Sequence, residues 1–461
     1  MGSKTVEGSE KNELDMKTFR FSCITALLLM VFTTAEARQW TLRECIDYAL
    51  QNNISLQKTR LTKLSAQEDI WLSQSALLPS LSASTGHSVS YQPWPESGRA
   101  QVQNGYVQQS VDKVFYNGSY GVSSNWTLWN GGRLKGNVEL NELAALQAEL
   151  DSATTANSIQ EQIAQLYVQI LYSAEAIKVS QKSLETSQKN EERGKAFVEV
   201  GKMSRADLAQ LTSQRAQDEY QIVEAEGNLR NYKRQLKQLL QITNDDDFDV
   251  VIPETTDEMA LQAIPALAEA YAMALGRRPE IRNAEVGIKT SELNIKMAKA
   301  QRLPTVGVSG SAVTNTTSMS SNAFGSQLKN NFNIGTGVNV SIPLFDNRSA
   351  KTAANKAQLQ KMNYELDLKD KQNTLYATLE NYWLQAVTNQ NKFRAAQVAT
   401  ESAKTSFEML SGKFDEGLIN IVELMQGRDA LLQAQQNELQ SKYLTILNIG
   451  ILKFYETGEL K

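Results

Sequence analysis

Few residues of this 461-residue chain could carry out catalysis, since it has one histidine, His87, and two cysteines, Cys23 and Cys45. We find no Ser/His/Asp arrangement for nucleophilic catalysis, no cluster with metal-ligand spacing and no glycine-rich phosphate loop. An acidic stretch at residues 244–247 lacks the ligand spacing of a calcium loop, so a solvated linker is the better interpretation. The sequence therefore disfavours an enzyme and predicts neither a cofactor nor a metal site.

Residues 1–37 have the features of a leader and signal peptide. Lys17 and Arg20 precede an apolar run at residues 24–32, and Ala-Glu-Ala follows at residues 35–37. The apolar run is far shorter than the roughly 20 residues of a membrane anchor. We therefore expect an exported protein that starts at Met16. Cys45 would then be its only cysteine, which excludes an internal disulfide and favours a small apolar residue on a short helix.

The net charge of −4 is small for a chain of this length, so the sequence predicts no basic surface for nucleic acid. The mean hydropathy is negative, which argues against a bundle of membrane helices. Residues 348–411 contain no Gly or Pro and consist mostly of good helix formers. As one helix they would extend about 95 Å. A similar run at residues 137–193 indicates a second long helix.

The chain repeats itself. Adding 225 to residues 49–86, or 216 to residues 121–240, aligns identical or similar residues, among them Leu78-Pro79 with Leu303-Pro304 and Gly201 with Gly417. We infer an internal duplication. The predicted first repeat covers residues 38–242, with strands at about 80–91 and 118–129 and helices at about 133–193 and 204–241. A linker follows at residues 243–263. The predicted second repeat covers residues 264–458, with strands at about 304–314 and 332–344 and helices at about 348–412 and 421–457.

The four predicted strands alternate apolar residues with Ser, Asn, Thr and Gly. This pattern suits a transmembrane β-barrel with a lipid-facing apolar side and a water-filled lumen, although a half-buried sheet of a soluble domain would show it too. Four strands cannot close a barrel, so they would pair with strands of other copies. His87 falls on the apolar side, where an interfacial role is more plausible than metal binding. Residues 92–117 and 315–331 are predicted to be exposed loops.

The first long helix carries a heptad repeat, in which Ile163, Ile170, Ile177 and Leu184 recur every seven residues, with Ile159 and Leu166 between them. Such a repeat favours left-handed packing on neighbouring helices.

A strand pair between two long helices, duplicated and behind a signal peptide, resembles the TolC family of outer-membrane efflux proteins. Three segments carry the resemblance: residues 274–281 (ALGRRPEI), the Leu-Pro at residues 303–304, and residues 414–424 (FDEGLINIVEL). The resemblance extends over about residues 40–458. It implies an α+β membrane protein: a homotrimer whose four strands per chain form a twelve-stranded outer-membrane β-barrel, continued by a long periplasmic α-helical barrel.

The resemblance also implies function. A TolC-like protein is the passive outer-membrane exit duct of a tripartite efflux system for drugs or other small molecules. Its partners would be outer-membrane lipid, a periplasmic adaptor and an inner-membrane pump of the RND or ABC type. The alternative in the same class is the channel of a type I protein secretion system. A soluble periplasmic adaptor or structural coiled coil is a further possibility, which the alternating strands disfavour.

Site residues carried over from the family lie at the far helix tip. An acid at the position of Glu423 faces inward there, and three copies would form a carboxylate ring at the periplasmic aperture. In the family's pattern a second acid follows three residues later and would form a second carboxylate ring. This chain has Gln426 at that position, which puts the second ring in doubt. Asp207, the repeat mate of Glu423, is the third candidate for the aperture. The tip expected to dock the adaptor contains four residues: Gly201, Lys202, Gly417 and Leu418.

Overall fold

The computed structural model describes residues 39–94, 98–102, 105–109, 113–243, 248–253 and 255–460. The leader, Cys23 and the acidic residues 244–247 lie outside the described residues. In chain order the elements are β1 (Gln39–Trp40), α1 (Leu42–Asn52), α2 (Ile54–Ser75), β2 (Ser80–Tyr91), β3 (Gly98–Val102), β4 (Gly105–Gln109), β5 (Val114–Trp129), α3 (Arg133–Glu199), α4 (Arg205–Leu239), β6 (Asp249–Val250), α5 (Asp257–Ala260), α6 (Leu267–Arg277), α7 (Pro279–Ala300), β7 (Thr305–Thr317), α8 (Phe324–Asn330), β8 (Asn333–Ser341), α9 (Ser349–Asp415) and α10 (Ile421–Thr457).

The chain divides into two compact units. The first comprises residues 1–49, 163–257 and 403–439; the second comprises residues 50–162, 258–402 and 440–461. Helices α3 and α9, of 67 residues each, run through both units and are slightly longer than the sequence predicted. Among the described helices, none combines the length and the apolar character needed to cross a membrane.

The second unit contains a four-stranded antiparallel sheet in the order β2-β5-β7-β8. The strand register aligns apolar residues of all four strands on one face of the sheet. One such row across the sheet consists of Ala83, Val122, Ala312 and Ile334, each paired with the next. One face is therefore apolar, and the other carries Ser, Asn, Thr and Gly. At one end of the sheet all four strands connect to helices, and at the other end they connect through loops.

Loop residues 318–332 are more ordered than the sequence predicted, because they contain α8 and are tied to strand β7. The buried side chain of Gln327 accepts a hydrogen bond from Thr317 N (2.7 Å) and donates one to Asn322 O (2.8 Å). Asn331 Nδ2 donates to Asn315 O at 2.7 Å. The loop is largely exposed, as expected, but its short helix and these hydrogen bonds to the end of β7 were not predicted.

Most of the described residues between the two repeats are exposed, as expected of a solvated linker, but two short stretches are held by the fold. In the first unit, β6 pairs in parallel with β1, and Val250 is buried. The Tyr167 hydroxyl, from α3, donates to Val251 O at 2.6 Å. In the second unit, the buried amide of Gln390 donates to Ala260 O (2.9 Å) and Gln262 O (2.8 Å). These partners satisfy backbone groups that would otherwise need water.

Each unit has its own hydrophobic core. In the first unit, the buried residues Leu211, Phe414, Ile421 and Leu424 form a cluster near the ends of the helices. In the second, a larger cluster includes Ala274, Ile281, Leu379, Leu452 and Phe454. Cys45 is completely buried on α1, as predicted for a small apolar residue, and burial followed by the charge of Glu44 raises the pKa of its thiol to about 12.

Candidate functional site: the helix tips

The first unit contains two helix–turn–helix tips, one between α3 and α4 and one between α9 and α10. Both long helices end at a glycine in the left-handed conformation, with φ of 74° at Gly201 and 75° at Gly417. A Cβ built on either glycine would meet no atom within 4 Å, so backbone conformation alone requires glycine there. The two turns therefore have the same backbone geometry.

The hydrogen bonds at both tips are those of a Schellman motif. Lys202 N donates to Phe197 O at 2.8 Å and Gly201 N to Val198 O at 3.1 Å. At the second tip, Leu418 N donates to Lys413 O at 2.9 Å and Gly417 N to Phe414 O at 3.0 Å. The lysine and the leucine after the glycines are exposed. The four residues predicted for adaptor docking are therefore two equivalent pairs at helix ends.

The candidate aperture acids lie one turn further on, where each return helix begins. Ser204 caps α4: its hydroxyl accepts from Asp207 N (3.1 Å) and donates to the Asp207 carboxylate (2.8 Å). Asn420 stands in the same relation to Glu423, accepting from its backbone N at 3.0 Å and donating to its carboxylate at 2.9 Å. Each acid thus accepts a hydrogen bond from the side chain of the residue that caps its helix, and it also faces the positive end of the helix dipole.

The sequence reasoning missed this capping role, although the signal was present as Ser-x-x-Asp at residues 204–207 and Asn-x-x-Glu at residues 420–423. Glu423 and Gln426 are exposed and one helical turn apart, and Asp207 is half-buried. The exposed carboxylate of Glu423 can both cap its helix and present charge to solvent.

A second feature missed by the sequence reasoning is a buried ion pair further along the same helices. Arg428 and Asp218 have side chains only 5% and 3% exposed, and Arg428 Nη1 donates to Asp218 Oδ2. Asp218 also accepts from Ser187 Oγ at 2.6 Å and from Gln214 Nε2 at 3.1 Å. Arg428 Nε has no hydrogen-bond partner among the described residues. We call these four residues the Asp218 cluster.

The Asp218 cluster continues a change in the seam of α3. Ile163, Ile170 and Ile177 are buried as the heptad repeat predicted, whereas Leu184 is only half-buried. The buried positions of α3 after Ile177 are Ser180, Ser187, Asn190, Glu191 and Gly194. The buried stripe of α3 therefore passes from apolar to polar residues before it reaches the apolar cluster of Leu211, Phe414, Ile421 and Leu424 at the tip. Polar layers fix helix register by their hydrogen bonds but supply less hydrophobic stabilisation.

Ion pairs add to the polar part of α3 between residues 180 and 194. Arg193 of α3 pairs with Asp415 of α9. The pKa of the Glu191 carboxyl is lowered overall. Burial on its own would raise this pKa, but the hydrogen bonds from Lys195 and Thr212 and the charges of Lys195 and Arg215 together outweigh the effect of burial. The carboxylate is held by Arg215 Nε at 2.7 Å and Lys195 Nζ at 3.2 Å. These groups leave Glu191 ionised near neutral pH.

Comparison with known proteins agrees with this architecture. The chain is 21% identical over 444 residues to the outer membrane efflux protein BepC of Brucella suis, covering 93% of this chain and 89% of that protein. It is 21% identical over 410 residues to the outer membrane protein TolC of Vibrio cholerae, covering 88% of each. A crystal structure of CusC superposes with a TM-score of 0.77 at 16% identity, covering 92% of this chain and 95% of that one. Residues 45–241 and 270–447 match the family described as outer membrane efflux protein, and the chain belongs to this family.

Proposed function

We propose that the protein is the outer-membrane exit duct of a tripartite efflux system, a homotrimer that passively conducts drugs or other small molecules. The observation that carries this proposal is the sheet of the second unit, which has an exposed apolar face and two unpaired edges. Neither β2 nor β8 has a second partner strand among the described residues. Such edges are not tolerated in lipid, so the edge strands of three copies would pair and close a twelve-stranded barrel.

The side-chain pattern supports this assembly. Leu81, Val89, Ile334 and Val338 are at least 69% exposed, which a water-facing sheet would not favour. Beyond the barrel, α3, α4, α9 and α10 would continue as a periplasmic α-helical barrel. The repeat offsets and the matched tips support the inferred duplication.

At the tips we propose that the three Glu423 carboxylates form a ring at the periplasmic aperture, with Gln426 and Asp207 beside it. The glycine turns, with Lys202 and Leu418 exposed, would meet a periplasmic adaptor. The adaptor would link the duct to an inner-membrane pump of the RND or ABC type, which supplies the energy. The duct itself performs no covalent chemistry.

The assembly is tested by cysteine cross-linking between edge strands. Single cysteines are placed along β2 and along β8 and combined in pairs; the native Cys45 is fully buried and gives little background. Trimer-sized products in outer-membrane fractions are expected at one register. Monomers at every register would contradict the proposal. Cells lacking the gene should also become more sensitive to exported compounds.

The aperture is tested by single-channel recording in planar bilayers. Glu423→Gln removes the charge but retains hydrogen-bonding capacity toward Asn420, and it should weaken block by divalent cations. Glu423→Ala should in addition raise conductance. Asn420→Ala is the matched control, because it removes the cap and leaves the carboxylate. Unchanged conductance and block in both Glu423 variants would place Glu423 away from the constriction.

A further inference from the structure

The two strand hairpins of the sheet have the same register. Ser88 of β2 lies opposite Asn117 of β5. Adding 225 to the first position and 216 to the second gives Val313 and Asn333, which lie opposite each other in the pairing of β7 with β8. The same arithmetic holds for every pair of that second hairpin. The offsets found in the sequence therefore relate the two repeats in space as well, and we call residues related by them repeat mates.

The two hairpins join where β5 pairs with β7, and there Asn125 lies opposite Ser309. The repeat mates of these two residues are Ser341 of β8 and Ser84 of β2. Within one chain β8 and β2 form opposite edges of a four-stranded sheet, which is too small to close on itself. The equivalent contact can therefore be made only between β8 of one copy and β2 of another.

Helix α7 contacts both long helices within the second unit. An ion pair of 2.8 Å ties it to α9. Toward α3, Asn283 Nδ2 donates a hydrogen bond to Asp151 Oδ1. In a second contact with α3, Met297 lies 3.0 Å from the position that a Cβ on Gly136 would occupy. The two contacts with α3 join the first repeat to the second within one chain.

Helix α2 corresponds to α7 in the first repeat, but one of its sides is exposed. Toward α3, the hydroxyls of Thr59 and Ser152 are 3.3 Å apart. On the other side Leu61 and Leu72 are 64% and 70% exposed, whereas Val286, the repeat mate of Leu61, is only 4% exposed. Large apolar side chains exposed along one helix face indicate a surface that another chain covers.

Helix α9 presents a matching exposed face. Leu359 and Leu366 are 61% and 65% exposed, whereas their repeat mates on α3, Leu143 and Leu150, are half-buried and buried. Gly136, which contacts α7, lies seven residues before Leu143 and therefore on the same face of α3. For α9 the helix equivalent to α7 is α2 of another copy, and that helix carries the exposed leucines needed to cover this face.

The repeat mates of the two contacts between α3 and α7 complement each other in charge. Those of the hydrogen-bonded pair are Asp367 of α9 and Lys58 of α2, and those of the second contact are Thr352 and Leu72. All four residues are exposed. Neither Asp367 nor Lys58 has an ion-pair partner among the described residues. A carboxylate and an ammonium group would thus meet where the contact within the chain joins a carboxylate to an amide.

We propose that Asp367 of one copy forms an ion pair with Lys58 of the next copy, in an interface that repeats the contact between α3 and α7. In the same interface β8 pairs with β2 of the next copy in the register that places Ser341 opposite Ser84. The inference rests on the proposed homotrimer and specifies which residues join its copies. An exposed ion pair adds little stability, so its role is to align the apolar faces of α2 and α9.

The register is tested by oxidising double cysteine variants of the full-length protein in outer-membrane fractions. Ser84→Cys/Ser341→Cys should give trimer-sized products on a denaturing gel, and a reducing agent should return them to monomers. Directly opposed strand residues have Cα atoms about 4.5–5.5 Å apart, which a disulfide can bridge. Ser84→Cys/Asn339→Cys is the matched control. Its shift of two residues, about 7 Å along the strand, puts the two cysteines out of reach, so it should stay monomeric.

The cross-links separate this inference from the proposal on which it rests. Products from the shifted pair in place of Ser84→Cys/Ser341→Cys would overturn the register and leave the trimer standing. Monomers at every pairing of a β2 cysteine with a β8 cysteine would contradict the trimer itself, and the interface with it.

The ion pair is tested by exchanging its charges. Asp367→Lys and Lys58→Asp each place like charges at every interface, and each should lower the temperature at which the detergent-solubilised trimer dissociates. The double variant should restore that temperature, which a general folding defect would not allow. Arg60→Glu/Asp367→Lys is the matched control: Arg60 is exposed on the same helix but about 200° further around it, so the control should not recover. Equal dissociation temperatures for the wild type and both single variants would overturn the ion pair, as would equal recovery with Arg60→Glu.

Discussion

Gly194 and Leu211 face each other across the first helical hairpin, and a Cβ on the glycine would lie 2.6 Å from Leu211 Cδ1. The offset of 216 takes this pair to Leu410 and Gly427 of the second hairpin. There a Cβ on Gly427 would lie 2.5 Å from Leu410 Cδ1. The same contact is therefore made twice with the glycine and the leucine exchanged between the long helix and the return helix.

This exchange predicts that the two positions of one hairpin can be swapped. Gly194→Leu alone should destabilise by about 1–3 kcal/mol through overpacking. Leu211→Gly alone should cost more, about 3–5 kcal/mol, because it leaves a cavity and a helical glycine. The double variant should recover about 1–3 kcal/mol of the sum. Urea unfolding of the detergent-solubilised protein measures each variant.

The control for the swap combines Leu211→Gly with Gly227→Leu. Gly227 lies on α4 with no atom within 4 Å of its Cβ, so these two changes should simply add. Additive losses in the Gly194/Leu211 pair as well would contradict the exchange.

The Asp218 cluster predicts a large difference between single and double replacements. Asp218→Leu alone leaves the buried Arg428 guanidinium with only the exposed Asp429 carboxylate, 2.7 Å from Nη2, as a partner, and should cost about 3 kcal/mol. Arg428→Met alone should cost a similar amount, whereas the double replacement should regain most of the loss. Glu226→Gln is the control, because its pair with Arg230 is exposed and spans 3.9 Å, and it should change stability by less than about 0.5 kcal/mol. If the double variant is as unstable as the less stable single variant, the loss of stability comes from altered packing and not from the unpaired charge.

The sequence was sufficient for features that repeat along the chain. Alternation over residues 80–91 and 305–314 predicted the two faces of the sheet, because its period matches the pleat. The heptad of Ile163, Ile170 and Ile177 predicted the buried stripe of α3. The local geometry of both tips could also be anticipated from Gly201 and Gly417.

Contacts between residues far apart in sequence could not be predicted. Asp218 and Arg428 are separated by 210 positions, and neither belongs to a periodic pattern. The pairing of β1 with β6 rests on two residues per strand, too few for any alternation to be visible. For Asp207 and Glu423, the hydrogen bonds with the capping side chains of Ser204 and Asn420 give these acids a local role, and a role at the aperture stays a prediction.

A pH dependence is expected from Glu161 in the second unit. Its carboxylate accepts from Arg278 Nη2 at 3.3 Å, while Arg278 Nε donates to Glu280 at 2.8 Å and its guanidinium lies 4.1 Å from the Tyr455 ring centroid. Burial raises the pKa of Glu161 above its ordinary value of 4.5, and the charge of Arg278 only partly opposes this.

Because the folded pKa of Glu161 is raised, its protonated form favours the folded state. This contribution is complete below pH 4.5 and is lost as the pH rises through the folded pKa. Thermal unfolding of the wild type and of Glu161→Gln should therefore diverge with rising pH, since the glutamine cannot ionise, and the variant should be relatively more stable on the alkaline side. A stability difference that stays constant from pH 4 to 7 would contradict the shift. Glu142→Gln, at an exposed position of α3, is the control for the loss of one carboxylate.

The glycine turns predict opposite effects of the same substitution at different sites. Gly201→Ala and Gly417→Ala should each destabilise by about 1–2 kcal/mol, because a residue with a Cβ is strained at φ near 75° even where space is open. Asn at either site should cost less, since it tolerates the left-handed region better. Gly227→Ala, in the interior of α4 and equally open, should instead stabilise by about 0.5–1 kcal/mol.

Urea unfolding midpoints of the three alanine variants decide this prediction, and adaptor cross-linking adds a second measurement. If the turns only end the helices, Gly201→Asn and Gly417→Asn should restore both stability and cross-linking to the adaptor. If the glycines also touch the adaptor, the asparagine variants should regain stability while cross-linking stays reduced, because the added side chain occupies the open space around each glycine. Alanine variants as stable as the wild type would contradict the role of the left-handed turn itself.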